Sequence, residues 1–284
     1  MNPIEQIALA WQCLKHAAAQ LLRPSLWAPW LVLGAVEVAV VLALAGFAHP
    51  ALSPIVVPFL LRAGGEAALH YPTVFRMLPA LFARADLVIG ALLGSIVTGV
   101  STALFAVRYA AVPAPRDLLH RALARAPALV IVSLPVALAT LVLTAGLARW
   151  AGDDATPIVR AAGGIAALGI ALVVQAWFVF GVPYIVLAGR GWLAALAGLP
   201  RAAGRAMVGA LFLSIVAVVP SLPFQQLARM SDTIVSRGRP EMMTWVTLAG
   251  IAASLLGAFL LTGGATLLFQ TAVAEPDDDA EETA

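Results

Sequence analysis

The sequence predicts an all-α integral membrane protein with six transmembrane helices, arranged as three units of interfacial amphipathic helix plus transmembrane hairpin. Hydrophobic residues make up 62% of its 284 residues and charged residues only 11%, whereas soluble domains carry about 25% charged residues. The mean hydropathy is +0.95. Several apolar runs approach the length of about 20 residues that a membrane-crossing helix needs. A short amphipathic segment precedes three of these runs, which suggests the repeated unit.

Three interfacial helices are predicted, each with polar residues on one face and apolar residues on the other. They begin near Ile4, Arg116 and Arg190. In the third, Arg190, Arg201 and Arg205 fall on one side of a helical wheel, opposite tryptophan and leucine side chains. We expect the arginines to face lipid headgroups and the apolar side to face acyl chains.

Six spans follow from the apolar runs. Prolines separate the first two interfacial helices from the spans after them, because proline cannot continue a helix without losing a hydrogen bond. Tryptophans near the ends of runs indicate the membrane interface, and Trp27 and Trp30 are placed there. The predicted spans run from after Trp30 to about Ala48, from Leu87 to about Ala111, from Pro127 to about Leu147, from Ala161 to Leu187, from Met207 to Val219 and from Thr244 to Thr271.

Small residues at a spacing of four occur in two of these spans. Gly90-x-x-x-Gly94 lies in the second span and Gly250-x-x-x-Ser254 in the sixth. Such spacing lets a neighbouring helix approach closely. We therefore expect helix contacts at both motifs.

The segments between and after the spans are of three kinds. Residues 49–85 contain apolar stretches too short to cross a bilayer, and they predict an extracytoplasmic helical insert, either on the outer surface or re-entrant. Residues 149–156 and 228–242 are predicted polar loops. Residues 275–284 hold six of the 15 acidic residues and predict a disordered acidic tail. Residues 1–274 are accordingly treated as a single six-helix membrane domain.

The charge balance favours a lipid partner. The net charge of +2 includes the acidic tail; without its six acids, nine acidic residues remain against 17 basic ones, which gives +8. A basic membrane domain suits anionic headgroups. The arginines are scattered at segment ends rather than massed on one face, so nucleic-acid binding is not predicted.

The same composition indicates where the protein resides. Arginine outnumbers lysine and alanine is abundant, which indicates a GC-rich bacterial genome and hence the inner membrane. The N-terminal segment lacks the basic region of a cleavable signal peptide, so we expect it to be retained. Both termini are predicted to be cytoplasmic, because this places all three interfacial helices on one leaflet. Basic residues barely favour this orientation, with nine inside and eight outside.

Two polar residues within predicted spans are candidate functional positions. Glu37 is a carboxylate in the middle of the first span, where a charge is costly to bury and marks a candidate functional position. It is a candidate for titration, for cation binding or for a hydrogen bond to a neighbouring helix, and Gln175 in the fourth span is a candidate partner. A purely structural helix contact is the alternative for both. The predicted spans contain no second mid-span charge that could form a proton or ion relay with Glu37.

Other chemistry is not indicated. The single cysteine, Cys13, excludes an intrachain disulfide and a multi-cysteine metal site. The four histidines lie in separate segments without ligand-type neighbours at helical spacing. The sequence contains no zinc-protease, nucleophile-elbow or P-loop motif. We therefore predict no catalytic residue, no metal site and no cofactor.

Two segments carry a resemblance to a bacterial group. An interfacial helix with a basic end leads into a span in AWQCLKHAAAQLLRPSLWAPW and again in GWLAALAGLPRAAGRAMVGALF. In this respect residues 4–272 resemble the YciC-like proteins and the six-span membrane domain found beside some glycerophosphoryl diester phosphodiesterases. The resemblance implies a six-helix inner-membrane protein of unassigned activity. The phosphodiesterase activity belongs to a separate soluble domain, so no catalytic residue carries over.

The leading functional hypothesis is a non-enzymatic membrane protein that organises lipid or a partner subunit through its interfacial helices. The alternative is a small-solute transporter or channel with Glu37 as its intramembrane polar site. Expected partners are membrane lipids, anionic ones in particular, and a membrane protein or a second copy of the chain. The predicted headgroup contacts are Arg116, Arg121, Arg190, Arg201 and Arg205.

Overall fold

The computed structural model describes residues 1–110, 115–151 and 156–274, and within these ranges the chain forms helices and no strand. Short 3₁₀ or π-helical turns occupy Glu66–Leu69, Gly90–Gly94, Val219–Ser221 and Phe269–Val273. The predicted acidic tail lies outside the described residues, as do residues 152–155 of the predicted loop 149–156. The α-helices are α1 (Pro3–Ala19), α2 (Pro24–Ala45), α3 (Ser53–Gly64), α4 (Thr73–Ile89), α5 (Ser95–Ala110), α6 (Pro115–Ala124), α7 (Ala126–Ala151), α8 (Pro157–Phe178), α9 (Gly181–Val186), α10 (Trp192–Val218), α11 (Leu222–Arg229), α12 (Ser231–Arg237) and α13 (Met242–Leu268).

Six helical stretches in the described residues are long and apolar enough to cross a membrane, as expected of a multi-pass membrane protein. The prediction of an all-helical chain with six such stretches is confirmed. The second and fifth stretches begin well before the predicted span starts at Leu87 and Met207, because the helix continues through those boundaries. The stretches are Pro24–Ala45, Thr73–Tyr109, Ala126–Gly146, Ala162–Val186, Trp192–Arg229 and Met242–Val273.

The chain divides into two compact units, each with its own apolar core. Unit 1 comprises Met1–Trp27, Gly94–Val216 and Phe259–Ala284. Its core includes α1, which starts with a capping box formed by Asn2 and Glu5. One face of α1 is buried, and its small side chains let the helix pack closely against its neighbours. The buried residues of this face are Gln6, Ala10, Cys13, Leu14 and Ala17.

Unit 2 comprises Ala28–Leu93 and Ala217–Ala258. Val41, Leu60 and Leu78 are fully buried in its core, together with other apolar side chains of α2, α3, α4 and α13. α4 packs against α3 and α12. The 49–85 region therefore contributes side chains to a core. α3 and α4 cover the two stretches in which the sequence predicts short helices, Pro54–Leu61 and Pro72–Arg84, but α4 is longer than predicted.

Two local predictions are wrong. The short helix predicted at Pro72–Arg84 does not end before Leu87, because no proline or glycine interrupts residues 80–89, and α4 continues to Ile89. Gly90 makes no close helix contact, since a Cβ there would meet nothing within 4 Å. Trp30 is 2% exposed within the protein, and its position at the membrane interface stays a prediction.

The predicted polar loop 228–242 is also partly wrong, because α11 ends and α12 lies within it. Phe224 and Leu227 lie three residues apart in α11, on one face of the helix. Asp232, in the first turn of α12, suits a helix N-terminus. Part of the segment predicted as a polar loop is therefore helical and belongs to unit 2.

α10 is broken where the sequence places the end of the third interfacial helix. Ala206 has the non-helical angles φ −141° and ψ 19°. Two residues later, the N–H of Val208 donates to Oε1 of Gln6 at 3.0 Å. A side-chain acceptor at such a point satisfies an N–H group as a helix cap does. The arginine-bearing half of α10 is thereby separated from the apolar half.

Candidate functional site

Three arginines that the sequence predicted on one face line a single cavity in unit 1. Arg190 immediately precedes α10, whereas Arg201 and Arg205 lie one helical turn apart on it. The cavity has a volume of about 440 Å³, and all three arginines are exposed. We call it the arginine cavity. It presents three fixed positive charges to one small volume.

Aromatic residues from two other segments complete this cavity. Tyr184 comes from α9, and Phe269 comes from the π-helical turn after α13. The Arg190 guanidinium lies 5.0 Å from the centroid of the Tyr184 ring, a distance typical of a cation–π contact. Nη1 of Arg205 donates to the carbonyl oxygen of Val273 at 3.4 Å. These contacts orient two of the three guanidinium groups.

The backbone before α10 is held by another arginine. Nη1 of Arg125 donates to the carbonyl oxygen of Arg190 at 2.9 Å and to that of Ile185 at 3.3 Å. Gly189 makes the turn between them with φ +65°, a value that side-chain-bearing residues rarely adopt. Arg190 therefore enters the cavity from a braced turn.

The two remaining predicted headgroup contacts lie elsewhere in unit 1. Arg121 donates from Nη1 to the carbonyl oxygens of Val186 and Leu187, at 3.3 and 3.4 Å. These carbonyls lie at the C-terminal end of α9, where a cation is favourable. Arg116 is exposed on α6 and does not line the arginine cavity. The structure thus brings together Arg190, Arg201 and Arg205 only.

A second cavity lies in unit 2 around Glu37. The Glu37 side chain is 5% exposed on α2, and its carboxyl group hydrogen-bonds to that of Asp86 on α4. Its Oε2 atom is buried with no hydrogen-bond partner among the described residues. Both carboxyl groups line a cavity of about 390 Å³. We call it the carboxyl cavity.

The walls of the carboxyl cavity are mixed. Apolar surface comes from α4, α11 and α13, including the rings of Phe82 and Phe224. Thr247 and Ser254 contribute hydroxyl groups that donate to carbonyl oxygens of their own helix, so each oxygen keeps a lone pair for another group. The exposed side chain of Arg229 also lines it. The buried part is acidic and the exposed part carries the positive charge.

Sequence reasoning missed Asp86, which it placed at the boundary before the second span. The available signal was its position one residue before an apolar run, within helix-forming residues. Gln175, the candidate partner of Glu37, is half-buried in α8 of unit 1. The partner that the structure gives Glu37 is Asp86. Tyr184 and Phe269 were also missed, since aromatic residues in spans carry no specific signal.

Cys13 is the titratable group of α1 with a clear shift. Burial raises the pKa of its thiol to about 11, and a hydrogen bond to Thr271 partly opposes this effect. The side chain is 1% exposed. A buried, protonated thiol reacts slowly, because the thiolate is the nucleophile. Within the described residues, no group of three or more His, Cys, Asp or Glu side chains is placed to hold a metal ion.

Comparisons with protein-family models, with curated proteins and with solved structures found no match to this chain. The resemblance to the YciC-like proteins therefore stays a prediction.

Proposed function

We propose that this protein is a non-enzymatic, multi-pass inner-membrane protein that binds anionic lipid headgroups at the arginine cavity. Through this binding, and through interfacial helices on the cytoplasmic leaflet, it organises lipid or a partner subunit. The observation that supports the proposal best is that Arg190, Arg201 and Arg205 line one cavity. Both termini are cytoplasmic in this arrangement, and each of the three interfacial helices precedes a transmembrane hairpin.

The chemistry of the arginine cavity suits a phosphodiester headgroup. Guanidinium groups bind phosphate oxygens through paired N–H donors, and their charge persists at any physiological pH. A volume of about 440 Å³ falls within the range of small-molecule sites, about 300 to 1,000 Å³. It leaves room for a glycerol or a second phosphate beside the first. Tyr184 and Phe269 supply apolar contact for the carbon atoms of such a group.

The break in α10 supports an interfacial position for these arginines. The residues before Ala206 carry Arg201 and Arg205, whereas those after it are apolar. An amphipathic segment of this kind is stable at the boundary between headgroups and acyl chains. A headgroup bound at the arginines then keeps its acyl chains in the bilayer.

The double substitution Arg201→Gln/Arg205→Gln tests this proposal. We expect retention of phosphatidylglycerol by the variant to fall roughly 30-fold, because each basic residue near a membrane surface contributes about 1 kcal/mol to anionic-lipid binding. Native mass spectrometry of protein released from nanodiscs measures the retained lipid directly. The matched control is Arg62→Gln/Arg239→Gln, which removes two exposed arginines of unit 2. Equal retention by both double variants would contradict the proposal.

A competition experiment distinguishes a lipid ligand from a soluble anion. Inorganic phosphate at millimolar concentration should displace little phosphatidylglycerol if the headgroup is held together with its acyl chains. Full displacement by phosphate would assign the cavity to a soluble anion instead. A protein partner released at fixed stoichiometry would identify what the lipid-bound protein organises.

A second candidate function, small-solute transport or conduction, is favoured by the position of Glu37. This buried carboxylate lines the carboxyl cavity rather than being enclosed in apolar contacts. If solute passes this group, we expect Glu37→Gln to change flux into liposomes several-fold, since a charge at a narrow point controls permeation. Glu66→Gln, an exposed acid of the same unit, is the control. Unaltered flux in Glu37→Gln would remove transport through this cavity from consideration.

A further inference from the structure

The carboxyl cavity holds a polar atom that its own unit does not satisfy. Glu37 is 5% exposed, and Oε2 accepts no hydrogen bond from the described residues. A buried acceptor without a donor is costly and calls for an explanation. The carboxyl group of Asp86 also lines this cavity. A ligand with an N–H or O–H group would supply a donor to Oε2.

The charge in this cavity defines the sign of that ligand. Two carboxyl groups, those of Glu37 and Asp86, line the cavity, and carboxyl groups at one site favour a nearby cation. Arg229 is the cation that lines the cavity, and its side chain is exposed, so solvent screens it. The buried part therefore favours a positively charged ligand that brings hydrogen-bond donors.

The size and the walls of the cavity select an organic cation over a metal ion. A volume of about 390 Å³ exceeds the space of one water, about 30 Å³, more than tenfold. A metal ion needs several oxygen ligands at about 2.0 to 2.6 Å. A cavity of this size is too wide to hold its lining oxygens that close to one ion. Phe82 and Phe224 offer ring surfaces for carbon atoms and for a cation–π contact.

We infer that the carboxyl cavity binds a small organic cation, a primary ammonium with an apolar or aromatic substituent. Its N–H group donates to Oε2 of Glu37, and its substituent packs against Phe82 and Phe224. Thr247 and Ser254 accept further N–H groups through their hydroxyl oxygens. This inference concerns binding in unit 2, so it depends neither on lipid binding in unit 1 nor on transport.

The experiment is equilibrium binding of phenethylammonium to the full-length protein in phosphatidylcholine nanodiscs. A lipid without net charge keeps the amine from accumulating on the bilayer. The neutral analogue 2-phenylethanol is measured in parallel, because it has nearly the same shape and lacks the positive charge. We expect saturable amine binding that is at least tenfold tighter than binding of the alcohol. Equal affinities, or no saturable amine binding at millimolar concentration, would overturn the inference.

Variants locate the binding within the protein. Glu37→Gln should weaken phenethylammonium binding at least tenfold, whereas Glu66→Gln, an exposed acid of unit 2, should leave it unchanged. Equal loss in both variants would overturn the assignment to the carboxyl cavity. If Glu37→Gln fails to fold, the amine and alcohol comparison on the unmodified protein still decides the outcome. Sodium chloride that displaces the amine at low millimolar concentration, beyond ionic screening, would assign the cavity to a metal cation and overturn the inference.

Discussion

Replacing Gly257 with alanine is expected to lower the free energy of unfolding by about 2 kcal/mol, since overpacking a core costs about 1 to 3 kcal/mol or more. A Cβ at this position would overlap the backbone carbonyl oxygen of Ala217. That oxygen belongs to α10 and cannot move aside as the end of a flexible side chain does. The overlap outweighs the gain of about 1 kcal/mol that alanine has over glycine within a helix.

The thermal midpoint in detergent measures this effect, and a decrease of roughly 4 to 8 °C is expected. Gly169→Ala is the matched control, because Gly169 lies in α8 and a Cβ there would meet nothing within 4 Å. This control should unfold at the same temperature or slightly higher. Identical midpoints for the two variants would show that Gly257 is not a site of close helix contact.

Replacing Gln6 with leucine is expected to lower the free energy of unfolding by a similar amount, about 2 kcal/mol, because the N–H of Val208 loses its acceptor. The Gln6 side chain is 7% exposed, so water cannot readily replace the lost hydrogen bond. Gln12→Leu is the control, since Gln12 is exposed on the same helix. Its substitution removes the same amide without affecting α10.

The rate at which a maleimide labels Cys13 measures this loss of stability. Cys13 is the single cysteine and lies buried on the same face of α1 as Gln6. Its thiol, with a pKa raised to about 11 by burial, should react with a maleimide at pH 8 mainly after local opening. A loss of about 2 kcal/mol would accelerate labelling roughly 30-fold. Gln12→Leu should label at the rate of the unmodified protein. Equal rates in both variants would mean that Gln6 does not hold the break in α10.

Local sequence patterns predicted the elements of this fold well. Each apolar run is long enough to specify a helix by itself, since a helix satisfies its backbone hydrogen bonds within one segment. The helix ends were less predictable. α4 passes through the expected boundary near Asp86, because a change from polar to apolar residues does not end a helix unless the backbone is interrupted.

Glycine motifs show the same limit. The Gly90 motif and the Gly257 position look equivalent in sequence, as small residues within apolar helices. Only Gly257 faces the backbone of another helix. A spacing of four residues places side chains on one face of a helix, but it does not state which helix lies opposite.

The candidate sites divide in the same way. The sequence alone determined that the chain is an apolar, helical protein, that Glu37 lies inside a span, and that Arg201 and Arg205 share a face. These properties depend on neighbours within one helix. The tertiary structure alone decided that Asp86 contacts Glu37, that Tyr184 lies beneath Arg190, and that Gln6 satisfies Val208. Those contacts join residues from different helices, where only packing of the whole unit determines which side chains meet.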